Sequence, residues 1–126
     1  MNKKTFLILI AILVLLVGCG KKKEEEKIES GKITCKQMKE VMTWDGNPIL
    51  IDVRTADEFK EGHLGKAINI PYETVVDELS KKENVNFETP IVVYCKSGNR
   101  SGQAYNSLKV AGYKNVYDLG AMSSCK

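Results

Sequence analysis

Four short apolar runs, Ile49 to Val53, Ala67 to Ile70, Ile91 to Tyr94 and Val116 to Leu119, alternate along this chain with stretches of helical periodicity. The alternation constrains the fold more than any other feature, because a strand that is apolar at consecutive positions needs cover on both faces. It predicts βαβ units, and with a minor strand near Ile33 an α/β domain whose parallel sheet carries helices on both faces. Thr34 and Gln37 form a capping-box pattern ahead of an apolar stripe at Met38, Val41 and Met42. A second helix starts at Thr55 and ends before Gly62, a third covers Tyr72 to Leu79, and a fourth runs from Asn99 to Val110 and stops at Gly112.

With 126 residues the chain supports one domain, burying about two thirds of the surface that its unfolded form exposes. The formal charge of +3 comes from interspersed Lys and Glu, which gives a nucleic-acid partner no support. A single His and no Cys-x-x-Cys pair leave too few ligands for a metal site, and no cofactor is expected.

Residues 1–18 read as a signal peptide. Lys3 and Lys4 precede an unbroken apolar run from Phe6 to Val17, too short for the roughly 20 residues of a membrane-spanning helix. Leu16-Val17-Gly18-Cys19 resembles the lipobox of bacterial lipoproteins, which makes Cys19 the expected site of acylation and membrane attachment. The expected location is therefore the outer side of a bacterial membrane, facing the periplasm or the exterior. Residues 19–31, rich in Lys, Glu, Gly and Ser, read as a tether with a reach of about 40 Å. Residues 32–126 form the domain.

The chemistry concentrates in Tyr94-Cys95-Lys96-Ser97-Gly98-Asn99-Arg100-Ser101, where a Cys ends a buried strand and a Gly-containing turn leads into a helix. Such a turn aims successive backbone N–H groups inward, and the helix adds about half a positive charge at its N-terminus. That setting favours an anion and lowers the pKa of a thiol. Clefts in parallel sheets lie beyond the carboxyl ends of the strands, where Asp52 and Cys95 both fall.

Cys95-x-x-Gly98-x-Arg100-Ser101 resembles the active-site loop of rhodanese-like sulfurtransferases. Leu50-Ile51-Asp52-Val53-Arg54, Glu58-Phe59, Gly62-His63-Leu64 and Ala67-Ile68-Asn69-Ile70-Pro71 are similar to that family's upstream motif, with Gly65-Lys66 where a small residue or Pro and then Gly are usual. The resemblance runs from about Ile33 to Leu119 and implies a parallel five-stranded sheet. It also implies two-step sulfur transfer. Cys95 takes sulfur from a small anionic donor such as thiosulfate as a persulfide, and a thiol or cyanide-like acceptor removes it. The loop is Cys-x4-Arg, one residue shorter than in family members that act on phosphate or arsenate, and this favours sulfur transfer.

Under the resemblance Lys96, Ser97, Gly98, Asn99, Arg100 and Ser101 form the anion cradle, with Lys96 either drawing the donor in or simply solvated. Arg100 either closes the loop by pairing with an acid such as Asp52 or contacts substrate. Asp52 and Arg54 are expected to brace the loop. His63 fits a structural hydrogen-bonding role better than that of a general base, and Trp44 fits the core. A monomer is expected. The implied strand order brings Cys35 and Cys125 to one sheet edge, which allows a disulfide. The other possibilities are a packed Cys35 with a frayed Cys125, or redox pairing of Cys95 with either. A non-catalytic sulfur-sensing module is the remaining alternative.

Overall fold

The computed structural model describes residues 27–126, so Cys19, the lipobox and the signal peptide expected over 1–18 lie outside the described residues. Five parallel strands form one sheet: β1 (Gly31–Lys32), β2 (Ile49–Asp52), β3 (Ile68–Asn69), β4 (Ile91–Cys95) and β5 (Val116–Ala121), in the order β1-β5-β4-β2-β3. Four helices, α1 (Cys35–Val41), α2 (Ala56–Glu61), α3 (Val75–Ser80) and α4 (Asn99–Ala111), are followed by a closing 3₁₀ turn at Met122–Cys125. All five residues of β4 are buried, as a central strand covered on both faces requires.

The alternation of side chains along the strands divides the apolar residues into two layers. Ile51, Val93, Cys95 and Val116 face α3 and α4, where Val75, Leu79, Ala104 and Leu108 meet them. Leu50, Val92, Tyr94 and Leu119 face the other way, towards Met38 and Val41 of α1 and the partly buried Phe59 of α2. Trp44 belongs to that second layer, its ring edge-on to Tyr117 at 5.8 Å between centroids. A capping box starts α1 at Thr34–Gln37, as the sequence pattern requires, and the structure adds a second at the start of α2, Thr55–Glu58.

Two boundaries differ from the sequence reading, and one loop residue carries a strained backbone angle. The tether ends earlier than residue 31: Ile28 is buried in the second layer, Ser30 Oγ donates to the Val116 carbonyl at 2.7 Å, and Gly31 already pairs with Tyr117. One apolar side chain among the charges was enough to dock those residues. The third helix begins at Val75, because Pro71 to Thr74 make a turn first. Lys66, where the family uses Gly, holds a left-handed φ of 60°, an angle that a residue with a Cβ adopts at a cost.

Candidate active site

β4 delivers Cys95 to the carboxyl edge of the sheet, and residues 96–98 turn the chain into α4. Gly98 makes this turn possible. Its φ of 100° lies in the left-handed region, and from there its N–H points back at Cys95 Sγ, 2.9 Å away. Burial pushes the Cys95 thiol up, but the Ser101 N–H and hydroxyl and the Gly98 and Ser97 N–H groups outweigh it, so the pKa falls below that of an ordinary thiol. The Ser101 hydroxyl has one proton and two takers, the Gly98 carbonyl at 3.1 Å and the thiolate.

The cradle residues divide by exposure. Lys96, Ser97 and Asn99 are exposed, Gly98 and Arg100 half-buried and Ser101 buried. Cys95 itself is buried, 0% exposed. The N–H groups of Ser97, Gly98 and Ser101 form the electropositive floor, and α4, 13 residues long, adds the field of its N-terminus.

Arg100 pairs with Glu58 rather than Asp52, its Nη1 donating to Oε1 at 2.6 Å and its Nη2 to Oε2 at 3.0 Å. Asp52 is already taken. Its oxygens accept Arg54 Nε at 3.0 and 3.1 Å, Arg54 Nη2 at 2.7 Å and the Arg54 backbone N–H at 2.9 Å. The sequence reading placed Asp52 and Arg54 behind the Cys95 loop. In the structure Arg54 Nη2 instead donates to the Gly62 carbonyl at 2.7 Å, so this buried pair braces the loop after α2. The reason is reach: residues 52 and 54 lie on one strand end and satisfy each other at short range.

His63 is exposed, with Nδ1 2.7 Å from the Leu64 carbonyl and its ring stacked on Phe59 at 4.0 Å, which suits a structural role. Two residues outside the site list expected from sequence matter here. Glu58 holds the loop through Arg100, whereas the sequence showed it only as part of the Glu58-Phe59 motif. Tyr94, buried, has its pKa pushed up to about 12 chiefly by burial, and its hydroxyl accepts the Leu64 N–H at 3.0 Å. Among the described residues no three His, Cys, Asp or Glu side chains cluster as a metal site would need.

Cys35 and Cys125 form a disulfide, their Cα atoms 5.2 Å apart. Cys95 is the free cysteine among the described residues. The bond ties the 3₁₀ turn after β5 to the start of α1. Just before that turn, Ala121 pairs with Cys95 across the sheet and Gly120 backs the loop at Gly98.

A family model described as the rhodanese-like domain matches residues 34–123. The chain is 39% identical over 84 residues to a putative mitochondrial thiosulfate sulfurtransferase of Schizosaccharomyces pombe, covering 59% of each chain. It is 35% identical over 72 residues to the thiosulfate sulfurtransferase PspE of Escherichia coli, covering 57% of this chain and 68% of that one. A solved Staphylococcus saprophyticus structure overlays with a TM-score of 0.61 at 29% identity, covering 79% of this chain and 94% of that one. A human single-domain sulfurtransferase shares the fold, with a TM-score of 0.65 at 23% identity over 74% of this chain and 92% of that one. The chain spans 59%, 24% and 53% of the length of three curated proteins that it matches.

Proposed function

Since the chain belongs to the rhodanese-like domain family of sulfurtransferases, we propose that it moves a sulfane sulfur from a donor such as thiosulfate to a nucleophilic acceptor through a persulfide on Cys95. The observation that carries this reading is the Gly98 N–H aimed at Cys95 Sγ at 2.9 Å, within a cradle that lowers the thiol pKa. In the first step the Cys95 thiolate attacks the outer sulfur of thiosulfate. A Cys95–S bond forms, the sulfur–sulfur bond of thiosulfate breaks, and sulfite leaves with the electron pair. The terminal sulfur of the persulfide inherits the negative charge. It then lies where the loop N–H groups stabilise it as they stabilised the thiolate.

Arg100, held by Glu58 at both carboxylate oxygens, is a positioning residue in this scheme. Donor attraction falls to the backbone N–H groups and to the exposed Lys96. The second step returns Cys95 to the thiolate when a thiol or cyanide-like acceptor takes the outer sulfur. A redox role for Cys95 has less support, because its two expected partners, Cys35 and Cys125, are bonded to each other. The protein as proposed acts as a monomer and binds no nucleic acid.

The proposed setting is the outer face of a bacterial membrane, with attachment through an acylated Cys19. The Leu16-Val17-Gly18-Cys19 motif supports it, as does a disulfide suited to an oxidising compartment. Partitioning of the mature chain into detergent, with acyl mass on Cys19, checks the anchor; an unmodified Cys19 on a soluble chain contradicts it.

The test of the reaction is intact mass after incubation with thiosulfate. The wild type gains one sulfur atom on Cys95 and releases it to cyanide, whereas Cys95→Ser stays folded and gains nothing. Loading or turnover in that variant sinks the assignment, and an unloaded wild type favours a binding module.

A further inference from the structure

Asp118 is an acid buried beside the active-site loop, 6% exposed, with Lys32 and Val93 as its neighbours across the sheet. Its Oδ1 accepts the Gly120 N–H at 2.9 Å, stabilising the bulge at which β5 shifts register against β4. Oδ2 has no hydrogen-bond donor and no ion-pair partner among the described residues. No buried side-chain oxygen of the described residues is left without a partner, so Oδ2 must touch solvent. It does so next to a cleft of about 300 Å³ lined by Asp118, Lys32, Ile33, Gly120 and the loop residues Ser97 and Gly98. A Cβ added to Gly102, in the first turns of α4, would lie 3.8 Å from Oδ2, which places this oxygen on the Cys95 side of the sheet.

A carboxylate here opposes the first half-reaction. It sits beside a cradle built for an anion and repels an anionic donor. The same charge helps a second substrate that carries a cation, since a largely desolvated carboxylate oxygen binds a charged N–H donor far better than a neutral one. A cleft of 300 Å³ is at the lower end for a ligand site, which restricts the occupant to a small molecule.

We propose that this cleft binds the ammonium group of the sulfur acceptor, and that the acceptor class is a small aminothiol. The proposal rests on the reading of Cys95 as persulfide carrier. With the ammonium on Asp118 Oδ2, the acceptor thiol passes its proton to the anionic outer sulfur of the Cys95 persulfide and attacks that sulfur as a thiolate. A sulfur–sulfur bond to the acceptor forms and the bond to Cys95 Sγ breaks. Its electron pair returns to Cys95 as thiolate, and the acceptor leaves as a hydropersulfide. The two substrates are thus sorted by charge, the anionic donor at the loop N–H groups and the cationic acceptor at Asp118.

The experiment uses the full chain in detergent and reads binding and transfer separately. Ethylammonium, which has no thiol, is titrated while the Gly120 and Gly98 amide resonances are followed in wild type and in Asp118→Asn. Discharge of the thiosulfate-loaded chain is then timed with cysteamine and N-acetylcysteamine, each rate corrected to the thiolate concentration. The wild type should show saturable shifts at Gly120 and favour cysteamine on the order of tenfold, and Asp118→Asn should lose both. Absent shifts, a wild-type rate ratio near one, or a preference that survives in Asp118→Asn overturns the proposal. The wild-type measurements decide even if that variant does not fold. Ethylammonium binding to a chain that does not load with thiosulfate would sustain the ammonium site and sink the persulfide reading instead.

Discussion

Glu58 joins two helices through one carboxylate. Its Oε1 accepts the Thr55 N–H and hydroxyl, at 3.3 and 3.1 Å, and closes the capping box of α2. Its two oxygens also accept Arg100 at 2.6 and 3.0 Å, in the first turn of α4. The loop that carries Cys95 is therefore fixed at its far end by a residue 42 positions earlier in the chain.

That arrangement gives a pH dependence. The Arg100 guanidinium, aided by Thr55 and opposed by burial, holds the Glu58 carboxyl at about 2. A carboxylate with a depressed folded-state pKa contributes stability that is fully present above its unfolded pKa of about 4.3 and is lost as pH falls below that value. Thermal unfolding of the wild type should lose stability from about pH 4.5 down towards 2. Glu58→Gln should remove part of that slope and destabilise by about 1 kcal/mol at neutral pH, since the pair is partly exposed. An unchanged slope in the variant contradicts the assignment.

Cys95 should be alkylated with a pH midpoint below the roughly 8.5 of an ordinary thiol. Ser101→Ala removes the hydroxyl, one of the groups that hold the thiolate, and should raise the midpoint without abolishing reaction. A midpoint at the ordinary value in wild type would mean that the cradle does not act on sulfur.

Gly98→Ala tests the turn by itself. A Cβ there has room, its nearest neighbour being Gly120 Cα at 3.8 Å, so a clash is not the difficulty. The φ of 100° is, because a left-handed angle costs an L-residue about 1 to 2 kcal/mol. The variant should be less stable by that amount, and its Cys95 alkylation midpoint should rise as the 98 N–H swings away from Sγ. Wild-type values for both would show that the turn tolerates a side chain.

The Cys35–Cys125 bond closes a sequence separation of 90 residues, which in the chain-entropy model is worth about 4 to 5 kcal/mol. Reduction should lower the melting temperature sharply. In the denatured, unreduced chain only one of Cys35, Cys95 and Cys125 should react with a thiol reagent, and all three after reduction. Three reactive thiols without reduction would reject the pair.

Local pattern by itself determined the α/β class, the strand runs, the Thr34–Gln37 capping box and the turn at Gly98. These features depend on neighbours within a few residues, and periodicity, capping chemistry and glycine's freedom at φ of 100° all act at that range. The motif around Cys95 likewise carried its own chemistry, since the N–H groups that hold the sulfur belong to the next six residues. Pairing among the charged groups and cysteines was decided only by the tertiary structure. The sequence suggested an acid such as Asp52 as the partner of Arg100, but Arg54 already occupies Asp52 across two residues of the same strand end and the pairing falls to Glu58. Whether Cys35 met Cys125 depended on β1 lying beside β5 and on the tail folding back, and Asp118 gained its cleft from the same edge of the sheet. Contacts between residues dozens of positions apart are selected by the geometry of the whole sheet, which no stretch of sequence specifies alone.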